Sequence, residues 1–221
     1  MKPVLYAACV TELADAGLYA AACELVTETR REKAARLRFE KDKRLSVGAE
    51  LLLRYALRPA GVTELSFAYG ENEKPYLPER DVHFNLSHSG DWVLCAVGGC
   101  ELGCDIERIA PVNLKVAKRF FAPDEYADII AAPTPEAQRE LFFRYWTLKE
   151  SFMKATGLGL RLPMNEFAIR RGKEIAVRQS VDTRDYVFRE YPDIGGYCCA
   201  LCAAGQEPEE TLHIVNIRTL L

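Results

Sequence analysis

Segments of this chain echo one another faintly at an offset near one hundred residues, and the echo bears on the fold of the whole chain rather than of one segment. Residues 2–10 have a counterpart in 101–109. The helical pattern that stops at Ala60-Gly61 has a counterpart that stops at Thr156-Gly157. Gly90-Asp91-Trp92-Val93-Leu94-Cys95-Ala96 and Gly196-Tyr197-Cys198-Cys199-Ala200-Leu201-Cys202 both combine a glycine, an aromatic residue and an apolar run. The repetition implies two similar α+β halves meeting near residue 101, one over 1–101 and one over 102–221. At 221 residues the chain is long for a minimal domain and short for two independent ones, which two half-sized units would explain.

Periodicity fills in the elements. Residues 12–58 read as helical, with an amphipathic stretch over 43–57 that ends before Pro59-Ala60-Gly61. Residues 65–69 read as a strand and 70–75 as a polar loop. Residues 83–86 and 92–97 read as strands flanking a turn over Ser87-His88-Ser89-Gly90-Asp91, and 102–109 as another strand. Helices are expected over 113–131 and 135–156, and strands over 166–170, 186–191, 197–204 and 212–217.

Charge and cysteine content exclude several classes of function. Lysine and arginine number 29 against 32 acids, so the net charge of −3 argues against a general nucleic-acid binder. The same balance hides a basic stretch: residues 26–58 hold ten Lys/Arg against five acids. It reads as a solvated helix face or as an anion site for a polyphosphate ligand. No apolar run approaches a membrane span and no secretory cleavage pattern opens the chain, so a cytoplasmic location and no membrane partner are expected. Eight cysteines are then expected as free thiols. Cys199-x-x-Cys202 lies in an apolar run without a second pair and reads as core packing rather than a redox or zinc motif.

Three segments could carry chemistry. Asp105 and Glu107 stand two apart on a strand, so both face one side while Cys104 and Ile106 face the other. Two adjacent carboxylates repel unless a cation lies between them, and Mg²⁺ suits such a pair. A solvated strand face is the alternative. On the helix Trp146-Thr147-Leu148-Lys149-Glu150-Ser151-Phe152-Met153-Lys154, Glu150 lies beside Lys149 and Lys154. That is either a surface pair or a carboxylate flanked by ammonium groups that suit a metal and phosphate. Adjacent residues on an extended chain diverge, so Ser87 and His88 suit phosphate binding better than a nucleophile–base pair.

Taken in order, Lys74-Pro75, Phe84-Asn85-Leu86-Ser87-His88-Ser89-Gly90, Gly103-Cys104-Asp105-Ile106-Glu107, Lys118-Arg119-Phe120-Phe121 with Glu125, and Trp146-Thr147-Leu148-Lys149-Glu150 with Lys154 resemble the long, surfactin-synthetase-activating type of 4′-phosphopantetheinyl transferase. Each motif alone is weak, and the ordered set is specific. The resemblance covers the chain from about Arg30 to beyond Leu162. It implies an α+β pseudo-dimer with coenzyme A in the cleft between the halves. It also implies transfer of phosphopantetheine to a serine of an apo acyl or peptidyl carrier protein, with release of adenosine 3′,5′-bisphosphate, in fatty-acid, polyketide or nonribosomal peptide synthesis.

The resemblance assigns roles residue by residue. Asp105, Glu107 and Glu150 would hold Mg²⁺. Asp105, Glu150 and Lys154 would be catalytic, with Glu150 as base. Lys149 and Lys154 would meet phosphates, Ser87 and His88 the 3′-phosphate with Arg44 and Lys33, and Lys74 and Pro75 the adenine. Glu125 would support without ligating. The family carries glycine where this chain has Glu73, and an aliphatic residue where it has Cys104. A monomer is expected. A Mg²⁺-dependent phosphohydrolase acting on coenzyme A or a related nucleotide, and a coenzyme A binder without activity, are the competing functions.

Overall fold

The computed structural model describes residues 1–78 and 80–221. The N-terminal half opens with β1 (Val4–Cys9) and three helices, α1 (Ala16–Leu25), α2 (Glu28–Arg36) and α3 (Glu40–Leu57). The short hairpin β2 (Ala68–Tyr69) and β3 (Pro75–Tyr76) leads to β4 (His83–Ser89) and β5 (Trp92–Gly98). The second half runs β6 (Leu102–Arg108), α4 (Lys115–Phe120), α5 (Pro123–Ala131) and α6 (Pro135–Thr156). It closes with β7 (Ala168–Arg170), β8 (Ala176–Arg178), β9 (Tyr186–Glu190), β10 (Tyr197–Ala204) and β11 (Leu212–Ile214).

The two sheets repeat one plan. In the first, β1 pairs antiparallel with β5 and β5 with β4; in the second, β6 pairs with β10 and β10 with β9. Leu5 sits opposite Ala96 as Cys104 sits opposite Leu201. The long helices α3 and α6 hold corresponding places before the second strand of each sheet. The last strand breaks the symmetry. β11 crosses back to pair in parallel with β1, and Ile217 and Leu220 join the N-terminal core.

Alternation along the strands builds the layers. Leu94 and Ala96 of β5 meet Cys104 and Ile106 of β6 and Leu201 of β10 in a core between the sheets. Val93, Cys95 and Val97 face α3 in an outer core. Ala200 and Cys202 face α6 in the opposite outer core. Strands buried on both faces read as unbroken apolar runs, as 92–97 and 197–204 do. Cys199 and Cys202 fall in different cores, on opposite faces of β10, so they cannot share a ligand. All eight cysteines are free thiols.

Several boundaries differ from the periodic reading, for local reasons. The helical span at 12–58 is three helices, because Asp15 and Thr27 cap new starts by accepting from Leu18 N at 2.9 Å and Arg30 N at 3.3 Å. The span at 113–131 breaks at Phe121–Ala122, where Pro123 disfavours a helical residue before it. β4 continues through Ser89, so Ser87 and His88 lie on a strand and the turn is only Gly90-Asp91. The strand expected over 65–69 is confined to Ala68–Tyr69, that over 212–217 ends at Ile214, and β8 went unread.

Candidate active site

The seam between the halves is built by β4, β6 and α6. Asn85, Ser87 and Ser89 alternate along β4 and reach β6 with their side chains. Asn85 Oδ1 accepts from Cys104 N at 2.9 Å, and Ser87 Oγ donates to Asp105 Oδ1 at 2.7 Å. Ser89 Oγ donates to Glu107 Oε2 at 2.8 Å and accepts from Arg108 N at 3.1 Å. This side-chain ladder takes the place of a backbone ladder between the two sheets. Ser89 carried no signal in the sequence beyond its two-residue spacing from Ser87.

α6 closes the seam from the other side. Trp146, Glu150 and Lys154 are four residues apart and share one stripe of the helix. Close approach of β6 depends on Gly103: a Cβ there would stand 2.2 Å from Ser151 O and 2.4 Å from Ala155 N. Gly157, at φ 74°, ends α6 in the left-handed conformation that glycine tolerates. The result is an open hollow of about 360 Å³ lined by Leu86, Ser87, His88, Asp105, Glu107, Trp146, Glu150 and Lys154.

Charge is concentrated and incompletely compensated there. Lys154 Nζ donates to Asp105 Oδ1 at 2.6 Å, Ser87 Oγ at 3.1 Å and Cys104 O at 3.2 Å. Burial is the largest single influence on Lys154 and lowers its pKa, but the charge and hydrogen bond of Asp105, together with Cys104 and Glu150, raise it overall, so the ammonium stays charged. Burial, and then the Asp105 charge, push Glu107 and Glu150 above the usual carboxylate range. Desolvation and the Lys154 charge hold His88 below the usual imidazole value, against opposing pulls from Asp42 and Asp105.

One atom stands out for a cation. Asp105 Oδ2 is buried without a hydrogen-bond partner among the described residues. A buried carboxylate oxygen with no donor is costly unless something positive meets it. No three His, Cys, Asp or Glu side chains among the described residues converge into a finished metal cage. Mg²⁺ does not need one, since it takes one or two carboxylates and fills its shell with water and phosphate oxygens. Oxygen donors with an orphaned Asp105 Oδ2 fit that ion.

Comparison with known proteins decides what this arrangement belongs to. Residues 101–202 match the family model of the 4′-phosphopantetheinyl transferase superfamily, and residues 15–99 match that of the 4′-phosphopantetheinyl transferase N-terminal region. A 4′-phosphopantetheinyl transferase of Bacillus subtilis is 37% identical over 188 residues, spanning 81% of this chain and 82% of that one. The chain belongs to the 4′-phosphopantetheinyl transferase superfamily. The 4′-phosphopantetheinyl transferase Sfp of Bacillus subtilis strain 168 is 33% identical over 89% of this chain and 90% of its own length. The holo-[acyl-carrier-protein] synthase of Thermotoga maritima is similar over 49% of this chain and 64% of its own, with 18% identity and a TM-score of 0.40.

Within this transferase the remaining expected residues fall into three groups. Lys74 and Pro75 line a second hollow of about 360 Å³, near the C-terminus of α6, with His83, Glu101, Thr156 and Arg184. Lys74 Nζ donates to Glu101 Oε2 at 2.8 Å and to Leu102 O at 3.2 Å. His83, then Lys74, hold the Glu101 carboxyl down at about 2 against the opposing effect of burial. Glu73 adopts φ 60°, the only positive φ outside glycine among the described residues. A left-handed backbone suits glycine, and Glu73 adopts it under strain. Arg184 enters from a distant loop, with nothing in its local sequence to mark it.

Arg44, on α3, is half-buried and its Nε has no acceptor among the described residues. Lys33 is exposed on α2, and Arg30 is committed to the buried Glu50 carboxylate at 3.2 Å.

Lys149 is a correction. It was expected at phosphates, yet its side chain is 0% exposed and faces away from the cleft. One residue along a helix is a rotation of about 100°, so Lys149 cannot share the stripe of Glu150 and Lys154. It donates to Glu125 Oε1 at 2.7 Å and Phe167 O at 2.9 Å. Burial lowers its pKa and the Glu125 carboxylate opposes that. Glu125 is saturated as well, accepting from Ile169 N at 2.6 Å and Ala122 N at 2.8 Å.

Proposed function

We propose that this transferase moves 4′-phosphopantetheine from coenzyme A to a serine hydroxyl of an apo acyl or peptidyl carrier protein and releases adenosine 3′,5′-bisphosphate. The observation that carries the reading is the meeting of Asp105, Glu107, Glu150 and Lys154 across one seam, with a buried Asp105 oxygen left unpartnered. The names of the curated relatives support the same class of transfer.

The reaction forms a bond from the serine oxygen to a pyrophosphate phosphorus and breaks the bond to the bisphosphate, so positioning and charge neutralisation carry it. Asp105, Glu107 and Glu150 would hold Mg²⁺, which supplies positive charge against the pyrophosphate when bound. Glu150 accepts the serine proton. Its raised pKa brings it closer to the operating pH, where a base works best. Lys154, kept charged by Asp105, meets the phosphate and the growing charge on the leaving group. Ser87, His88 and Arg44 bind the 3′-phosphate, with Lys33 the outermost cation of that set. Lys74 and Pro75 border the adenine, beside the strained Glu73 loop.

The direct test incubates the protein with Mg²⁺, coenzyme A and a panel of apo carriers, and reads carrier mass. A gain of one phosphopantetheine, abolished by Asp105→Ala or Glu150→Gln, is the expected result. Bisphosphate release without any carrier would replace this function with hydrolysis. Chelating the metal should stop the gain and fresh Mg²⁺ restore it.

A further inference from the structure

β4 and β6 are edge strands of different sheets, and they meet through side chains. Two serines at alternate positions of β4 each donate to a carboxylate at alternate positions of β6. Ser87 Oγ donates to Asp105 Oδ1 at 2.7 Å, and Ser89 Oγ donates to Glu107 Oε2 at 2.8 Å. Each bond occupies one oxygen of its carboxylate. The other oxygens, Asp105 Oδ2 and Glu107 Oε1, accept no hydrogen bond among the described residues.

The two serines are not equivalent. Asp105 is held twice, because Lys154 Nζ donates to Asp105 Oδ1 at 2.6 Å as well as to Ser87 Oγ at 3.1 Å. Glu107 has neither an ion pair nor a second donor among the described residues, so Ser89 alone holds it there. The Ser89 hydroxyl is also fixed in direction, since its oxygen accepts from Arg108 N at 3.1 Å. An amide N–H only donates and a carboxylate only accepts, so the one hydroxyl proton lies toward Glu107. Ser89 thereby closes a small ring with Glu107 and the residue that follows it on β6.

We infer that Ser89 is a positioning residue for the metal: it holds Glu107 Oε2 so that the second carboxylate oxygen is left for the cation beside Asp105 Oδ2. The inference rests on the reading of Asp105, Glu107 and Glu150 as metal ligands. In this role Ser89 touches neither metal nor substrate and acts through Glu107. Without it the carboxylate regains rotamer freedom that metal binding must then remove.

The test measures free Mn²⁺ by electron paramagnetic resonance, with coenzyme A present and no carrier, so that turnover does not contribute. Ser89→Ala should weaken Mn²⁺ binding about 10–100-fold, the range for losing a partner that orients a metal ligand. Ser89→Thr keeps the hydroxyl and should restore most of the affinity. In transfer assays the Mg²⁺ concentration for half-maximal rate should rise in Ser89→Ala by the same factor, while the rate at saturating Mg²⁺ changes little. In a Glu107→Gln background Ser89→Ala should have little further effect on Mn²⁺ binding. If Ser89→Ala does not fold, Ser89→Cys gives the same discrimination, because a thiol is a weak donor.

Unchanged Mn²⁺ affinity in Ser89→Ala, beside weakened binding in Glu107→Gln, would overturn the positioning role and leave the metal ligands as assigned. A loss that Ser89→Thr does not recover, or that recurs in full without the Glu107 carboxylate, would also overturn it and make Ser89 a structural residue of the seam. Unchanged affinity in Glu107→Gln would remove Glu107 from the metal ligands, and both readings would fall.

Discussion

Lys149 and Lys154 stand on the same helix, and each donates to a buried carboxylate, Glu125 at 2.7 Å and Asp105 at 2.6 Å. The two faces of α6 nevertheless carry these pairs into different roles. On the core face, the backbone amides of Ile169 and Ala122 complete Glu125, and both partners of the pair are 0% exposed. On the cleft face, Asp105 keeps one oxygen without a donor, and Glu107 and Glu150 are destabilised as anions beside it. A closed network holds elements together. An open one has unspent capacity for a cation and a phosphate.

The sharpest way to break this contrast is on the cleft face. Glu150→Gln should lower phosphopantetheine transfer by about 10²–10⁴-fold, the range for removing a general base, with an unchanged thermal midpoint. A large loss of stability there would erase the distinction. On the core face, Lys149→Met should cost about 3–5 kcal/mol of unfolding free energy by denaturant titration, because it strands the Glu125 charge. Adding Glu125→Leu should recover part of that. If Lys149→Met instead kept its stability and lost coenzyme A affinity, Lys149 would belong to the cleft after all.

Gly103→Ala probes the packing that brings the two faces together. Its Cβ would collide with the α6 backbone, and overpacking of this kind costs about 1–3 kcal/mol. We expect a lower melting temperature together with slower transfer, since Asp105 and Glu150 would be displaced relative to one another. Relief of backbone strain should give Glu73→Gly a gain of about 1 kcal/mol, read as a raised melting temperature.

The smallest effect concerns pH. Glu101 is held at about 2 against an ordinary value of 4.5. A depressed carboxylate contributes stability that is full above its unfolded value and lost as pH falls toward its folded one. Stability should therefore fall between about pH 4.5 and 2, and Glu101→Gln should flatten that limb in urea titrations at successive pH values.

Much of the molecule was legible before its structure. The hundred-residue echo pointed to two similar α+β halves and matched β1 with β6 and β5 with β10, because an apolar run buried on both faces leaves the same pattern wherever it occurs, whereas the strand orders came from the structure. Asp105 and Glu107 share a face by strand alternation alone. Trp146, Glu150 and Lys154 share a stripe by helical spacing alone. Lys149 was misplaced for a related reason: a motif lists neighbours in order, whereas a helix sends consecutive residues in different directions. Ser89, Arg184 and the return of β11 to β1 left no local trace, since their partners are distant in the chain.

Local order therefore settled the two halves, the family and the chemical character of the cleft residues. Those depend on short-range periodicity and on residue type, both of which are written along the chain. Which carboxylate is saturated and which stays open depended on the packing of α6 against β6 and α5. Desolvation and hydrogen-bond completion are properties of a three-dimensional neighbourhood, and two lysines on one helix can differ in both.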